Sequence, residues 1–125
     1  MVDELNNLLG RIDAGFPRMR EGAWDAYLSR SPDGDRQAIS SIRELFDQVV
    51  ETLSDKKTLR EKIASIVGGQ DSAVIVSAAE LGHTMYAPQS KGTHDEPSYP
   101  RAFFVIKLTE YSLRYLLKSH LSQKR

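Results

Sequence analysis

Cysteine is absent from all 125 residues, which excludes disulfides and thiolate metal sites. Histidine is nearly so: His83, His94 and His120 are the three present. No two of them share the four-residue step of a helical zinc pair, so no metal site is expected. No run approaches the ~20 apolar residues that a bilayer-crossing helix needs, and no membrane partner is expected. The N-terminal stretch Met1-Val-Asp-Glu-Leu5 is acidic and then polar, unlike a secretory leader, so a cytoplasmic protein is the expectation. The phosphate-binding Gly-rich loop, the dinucleotide fingerprint after a strand and the Gly-x-Ser-x-Gly elbow are all missing. No cofactor is expected.

What is present is ordinary for a globular domain: 40% hydrophobic and 27% charged residues, enough to bury one core. The expectation is a single helical domain over residues 1–125, either a whole protein or a piece of a larger one. Net charge is zero, yet residues 1–55 hold 6 basic and 11 acidic residues, and residues 56–125 hold 11 and 6. From Pro97 onward six cations face the single acid Glu110. Such a split fits a nucleic-acid footprint or head-to-tail association. In the last turn the competing reading is that cations gather where a helix dipole favours them.

Hydrophobic spacing predicts helices throughout. Val2, Leu5, Leu8, Leu9 and Ile12 suit a helix over 2–14. A second follows over 17–29, unless the two are one helix kinked at Phe16-Pro17. Ser31-Pro32-Asp33 is a start signal. The apolar face it opens, Ile39, Ile42, Leu45, Phe46, Val49, Val50 and Leu53, spans four turns. Lys57–Val67 is a shorter helix ended by Gly68-Gly69. Asp71 or Ser72 caps another through about Tyr86, although Val74-Ile75-Val76 is also a strand pattern. A final helix over 98–120 is apolar on so many faces that it is either central to the fold or covered in part by a partner. The predicted fold is all-α, an antiparallel bundle of five or six helices.

The loop Gln89–Ser98 is the candidate site. His94 sits there between Lys91-Gly-Thr and the carboxylates Asp95 and Glu96. Imidazole suits proton transfer near neutral pH, Lys91 supplies charge for a phosphate, and Gly92 permits close approach. The competing reading is that Thr93, Asp95 or Ser98 caps the last helix and His94 decorates the turn. On the strong helix Arg36 and Arg43 stand seven apart on nearly one face beside Glu44. They are either a solvated polar side or an arginine pair aimed at the groove of His94. Arg114 and His120 match the nominal arginine–histidine spacing of the HEPN (higher eukaryotes and prokaryotes nucleotide-binding) helical ribonucleases. A six-residue step turns ~600°, however, so the two do not share a face, and a solvated surface is expected there.

Asp35-Arg-Gln-Ala-Ile-Ser-Ser-Ile-Arg-Glu-Leu45, followed by Gly92-Thr-His94 and a Leu-rich terminal helix, resembles the predicted nuclease domains associated with prokaryotic Piwi-type defence systems. It is also similar to abortive-infection C-terminal and other HEPN-like helical domains. The resemblance implies a small helical domain of an anti-phage or mobile-element conflict system. RNA is the implied substrate, and a homodimer or a partner defence protein the implied assembly. Carried over by position, His94, Arg43 and Arg36 would be catalytic, Lys91 phosphate-binding, and Glu44, Asp95 and Glu96 supporting. Where those ribonucleases place an arginine before the histidine, this chain has Ala87, Pro88 and Gln89.

Two functional expectations follow. One is a metal-independent ribonuclease, marked by convergence of Arg36 or Arg43 on His94. The other is a non-catalytic module for dimerisation or effector docking, marked by exposure of Phe103, Phe104, Tyr111 and Tyr115.

Overall fold

The computed structural model describes residues 3–68, 72–78, 80 and 99–123. Among the described residues lie six helices and no strand, so the fold is the expected all-α bundle. In chain order they are α1 (Glu4–Ile12), α2 (Phe16–Leu28), α3 (Pro32–Leu53), α4 (Leu59–Val67), α5 (72–78, with 80 also helical) and α6 (Tyr99–Gln123).

Helices α1, α3 and α4 start where a side-chain oxygen is available for their unpaired amides, whereas α2 starts after Gly15 with no side-chain cap. Asp3 Oδ1 accepts from the Asn6 amide at 2.9 Å, and Ser31 Oγ accepts from the Gly34 amide at 2.8 Å. Thr58 and Glu61 form a reciprocal capping box, each side chain accepting from the other's backbone amide at 3.1 Å. That box starts α4 at Leu59 rather than at Lys57. The question of one kinked helix or two at the N-terminus is settled by a break over 13–15, where Asp13 Oδ1 accepts from the Gly15 amide at 2.7 Å. Pro17 then sits in the first turn of α2. Val74, Ile75 and Val76 are helical, with Ile75 and Val76 buried, so the strand alternative is set aside. Gly68 closes α4 at φ 87° and ψ 158°, a positive-φ conformation outside the left-handed helical region that any other residue would adopt with strain.

The apolar face of α3 is the centre of the core: Ile39, Ile42, Leu45, Phe46, Val49 and Val50 are all buried. Around it pack Leu5 and Leu9 of α1, Phe16, Ala23 and Tyr27 of α2, Ile63 and Ile66 of α4, and the inner side of α6. The pairing of α2 with α3 is the most extensive in the fold. It depends on a residue without a side chain, because a Cβ on Gly34 would stand 2.3 Å from the Ala26 carbonyl oxygen and 2.1 Å from Ser29 Oγ.

Helices α2 and α6 run antiparallel. Arg20 meets Glu110, while Trp24 and Tyr27, further along α2, reach back to Phe103. Helix α6 buries Ala102, Val105, Ile106, Leu113, Leu116 and Leu117 but leaves its other side open. It lies against α1, α2, α3 and α4 and is not enclosed by them. Among the described residues no helix is long and apolar enough to cross a membrane.

Candidate functional site

Helical geometry divides α6 into two faces of different chemistry. The inner face is aliphatic. The outer face carries Phe104, Leu108, Tyr111 and Tyr115 at steps of four, three and four, which confines them to an arc of roughly 60° and a rise of about 16 Å. Phe104 is 46% exposed, Tyr111 62% and Tyr115 40%, and neighbouring Phe103 is 45% exposed. Leu108 is half-buried. Single exposed apolar residues are unremarkable, whereas a continuous aromatic stripe on one helix marks an interaction surface.

A buried polar node beneath one edge of the stripe sets which way that face points. Arg20 Nε donates to Glu110 Oε2 at 2.7 Å, and both side chains are 6% exposed. Arg20 Nη1 donates to Asp3 Oδ1 at 2.8 Å and to Asn6 Oδ1 at 3.0 Å. Trp24 Nε1 donates to the same Glu110 oxygen at 2.6 Å. One guanidinium thus ties α1, α2 and α6 together, with each buried charge met by an opposite charge and by further hydrogen bonds. Burial opposes the charge on Arg20, but Glu110 and Asp3 outweigh it and raise its pKa above the ordinary value. The hydrogen bond from Arg20 holds the Asp3 carboxyl below its ordinary range.

The same edge is bordered by cations. Lys107 Nζ stands 3.7 Å from Glu110 Oε1 and lies 5.5 Å from the centre of the Tyr111 ring and 6.0 Å from that of Trp24. Glu4 of α1 reaches both Arg114, at 2.7 Å, and Lys118, at 2.9 Å. The hydrogen bond from Lys118, with the charge of Arg114, lowers the Glu4 pKa. Between α1, α2 and α6, Glu4, Arg20, Glu110 and Arg114 line a pocket of 210 Å³ together with Asp3, Leu5, Lys107 and Tyr111.

The sequence-predicted site residues fall into two groups. Arg36 and Glu44 are exposed on α3 and Arg43 is half-buried. Glu44 accepts from Gln48 Nε2 at 3.0 Å. His94, Lys91, Asp95 and Glu96 lie outside the described residues, as do His83, the alternative cap Asp71 and the expected helix end near Tyr86. Arg114 points to Glu4 in a half-exposed ion pair, as a solvated surface would have it, and His120 is half-buried.

The Arg20 node is not among the sequence-predicted site residues. Its signal was the helical series Phe16, Arg20, Ala23, Tyr27, in which an arginine occupies an apolar-face position. The single acid of the last helix, Glu110, was its natural partner.

The fold and this surface define the chain as an all-α bundle with an outward aromatic helix face. No family model, curated protein or solved structure matches it.

Proposed function

We propose that this chain is a helical docking module that presents the outer face of α6 to a protein partner. The observation that carries the reading is the exposure of Phe104, Tyr111 and Tyr115 on one side of a helix whose other side is fully built into the core. Aromatic residues are enriched where proteins bind, because they bury large area at low conformational cost. The rigid Arg20–Glu110 node supports it, since a docking face must be held at one rotation. A dimer or an effector of a defence system, as the resemblance implies, are assemblies such a face could serve.

The test is affinity purification from the cells that naturally make the protein, with the wild type beside a Phe104→Ser, Tyr111→Ser double variant of unchanged melting temperature. A protein recovered in stoichiometric amount with the wild type and lost with the variant is expected. Recovery of nucleic acid in its place, or undiminished recovery by the variant, would contradict the proposal.

The ribonuclease reading is favoured by one feature, the accessible Arg36 on the outer side of α3. Incubation with tRNA and single-stranded RNA in EDTA, beside a His94→Ala variant, separates the two. Cleavage that survives EDTA and disappears in the variant would establish the ribonuclease; intact RNA in both is what the docking reading expects.

A further inference from the structure

We infer that the pocket between α1, α2 and α6 binds a small zwitterion of the α-amino acid class, its carboxylate on Arg20 and its ammonium on Glu110. Nothing in this site depends on a partner at the outer face of α6.

The node that anchors α6 is incompletely bonded. Arg20 commits Nε to Glu110 and Nη1 to Asp3 and Asn6, and among the described residues its Nη2 donates no hydrogen bond. Glu110 Oε2 accepts from both Arg20 and Trp24. Its Oε1 accepts no hydrogen bond among the described residues, since Lys107 Nζ stands 3.7 Å away, beyond hydrogen-bond reach. Both side chains are 6% exposed. Neither open atom is sealed from solvent, and both residues line the pocket. A buried guanidinium and a buried carboxylate thus each turn an unused position toward one small space. A few convergent polar groups in a concave site are what a small ligand needs for orientation.

The charge around the pocket selects the ligand. Asp3, Glu4 and Glu110 line it together with Arg20, Lys107 and Arg114, three of each sign. A simple anion drawn to Arg20 would also meet three carboxylates. A simple cation drawn to Glu110 would meet three basic groups. A molecule carrying both charges meets each with its opposite, through charge-assisted hydrogen bonds.

Spacing and size narrow the class further. Nη2 and Oε1 flank the 2.7 Å contact between Nε and Oε2. They are therefore neighbours, as carboxylate and ammonium are on one α-carbon. Leu5 and the Tyr111 ring add apolar wall for a side chain. The volume of 210 Å³ falls below the roughly 300–1,000 Å³ of a drug-sized site and suits a single amino acid.

Trp24 is the only tryptophan, and its indole N–H donates to Glu110 Oε2, so its NMR signal reports on the site. The probes are the proteinogenic L-amino acids, added singly at millimolar concentration. Each one that shifts the indole signal is followed by its decarboxylated amine and its deaminated acid. Expected is a saturable shift with at least one amino acid of neutral side chain, and binding about tenfold weaker for either single-charge analogue. The Tyr111→Ser variant is expected to melt at the wild-type temperature and to bind that amino acid more weakly. No saturable shift with any amino acid would overturn the site. An analogue that binds as tightly as its parent would overturn the zwitterion, and undiminished binding by Tyr111→Ser would overturn the placement in this pocket.

Discussion

Arg20 and Glu110 meet at 2.7 Å across ninety positions of chain, both buried, and their contact fixes the rotation of α6 against α1 and α2. The aliphatic side of α6 faces α3 because this pair, with Trp24 on the same carboxylate, leaves it no other rotation without stranding a charge. The aromatic side faces outward for the same reason.

Removing one partner of a buried pair leaves the other charge uncompensated, at a cost of about 3–5 kcal/mol. Glu110→Ala is expected to lose stability on that scale in urea unfolding. Arg20→Met combined with Glu110→Leu is expected to recover most of the loss, because both charges are then gone. A double variant as unstable as the sum of the two single ones would contradict the pairing.

Asp3 does two things, capping α1 and receiving Arg20. Asparagine caps as well as aspartate does, so Asp3→Asn isolates the charge. The folded-state pKa of Asp3 lies below its ordinary 3.8. The stability it contributes is therefore fully present above that value and lost as pH falls through the lower folded value. Urea melts are expected to show the wild type more stable than the variant at neutral pH, with the gap closing below pH 3.8. A gap unchanged in acid would contradict the role of the charge.

Gly34→Ala is expected to destabilise by about 1–3 kcal/mol, since its methyl would press on the Ala26 carbonyl and Ser29 Oγ at the α2–α3 junction. A helix-propensity gain from alanine works in the opposite direction, by up to ~1 kcal/mol. Thermal unfolding decides the sign, and a stabilised variant would mean that the junction relaxes.

Tyr111→Ser removes an exposed ring and is expected to change stability by less than about 0.5 kcal/mol. Phe103→Ser is expected to cost more, because Phe103 packs against Trp24 at 6.1 Å and Tyr27 at 5.9 Å between ring centres. Equal costs would contradict the division between anchored and open aromatics.

The helical content was legible because local rules sufficed. The face Ile39 to Leu53 repeats at helical spacing, Ser31 caps it, and Leu53 alone of that series is only half-buried. Boundaries at α4 missed the Thr58–Glu61 box although its spacing stood in the sequence. In sequence α6 is apolar on many faces, because hydrophobicity alone does not separate Val105, Leu113 and Leu117 from Phe104, Tyr111 and Tyr115. The basic residues do: Lys107, Arg114 and Lys118 mark the side that stays in water. The Arg20–Glu110 pair joins residues that no local pattern connects, and only packing brings them together. Of the candidate site, Arg36, Arg43 and Glu44 are placed on α3, and His94 with Lys91 lies outside the described residues.

The central claim is tested most directly by a photo-crosslinking residue moved around α6, one position at a time, in the cells that make the protein. Positions 104, 108, 111, 115 and 122 lie along one side of the helix, and 118 and 114 stand progressively further round it. Protein adducts whose yield peaks at 104, 111 and 115 and declines toward 114 are the predicted result. A yield that ignores helical period, or adducts to nucleic acid alone, would contradict the account.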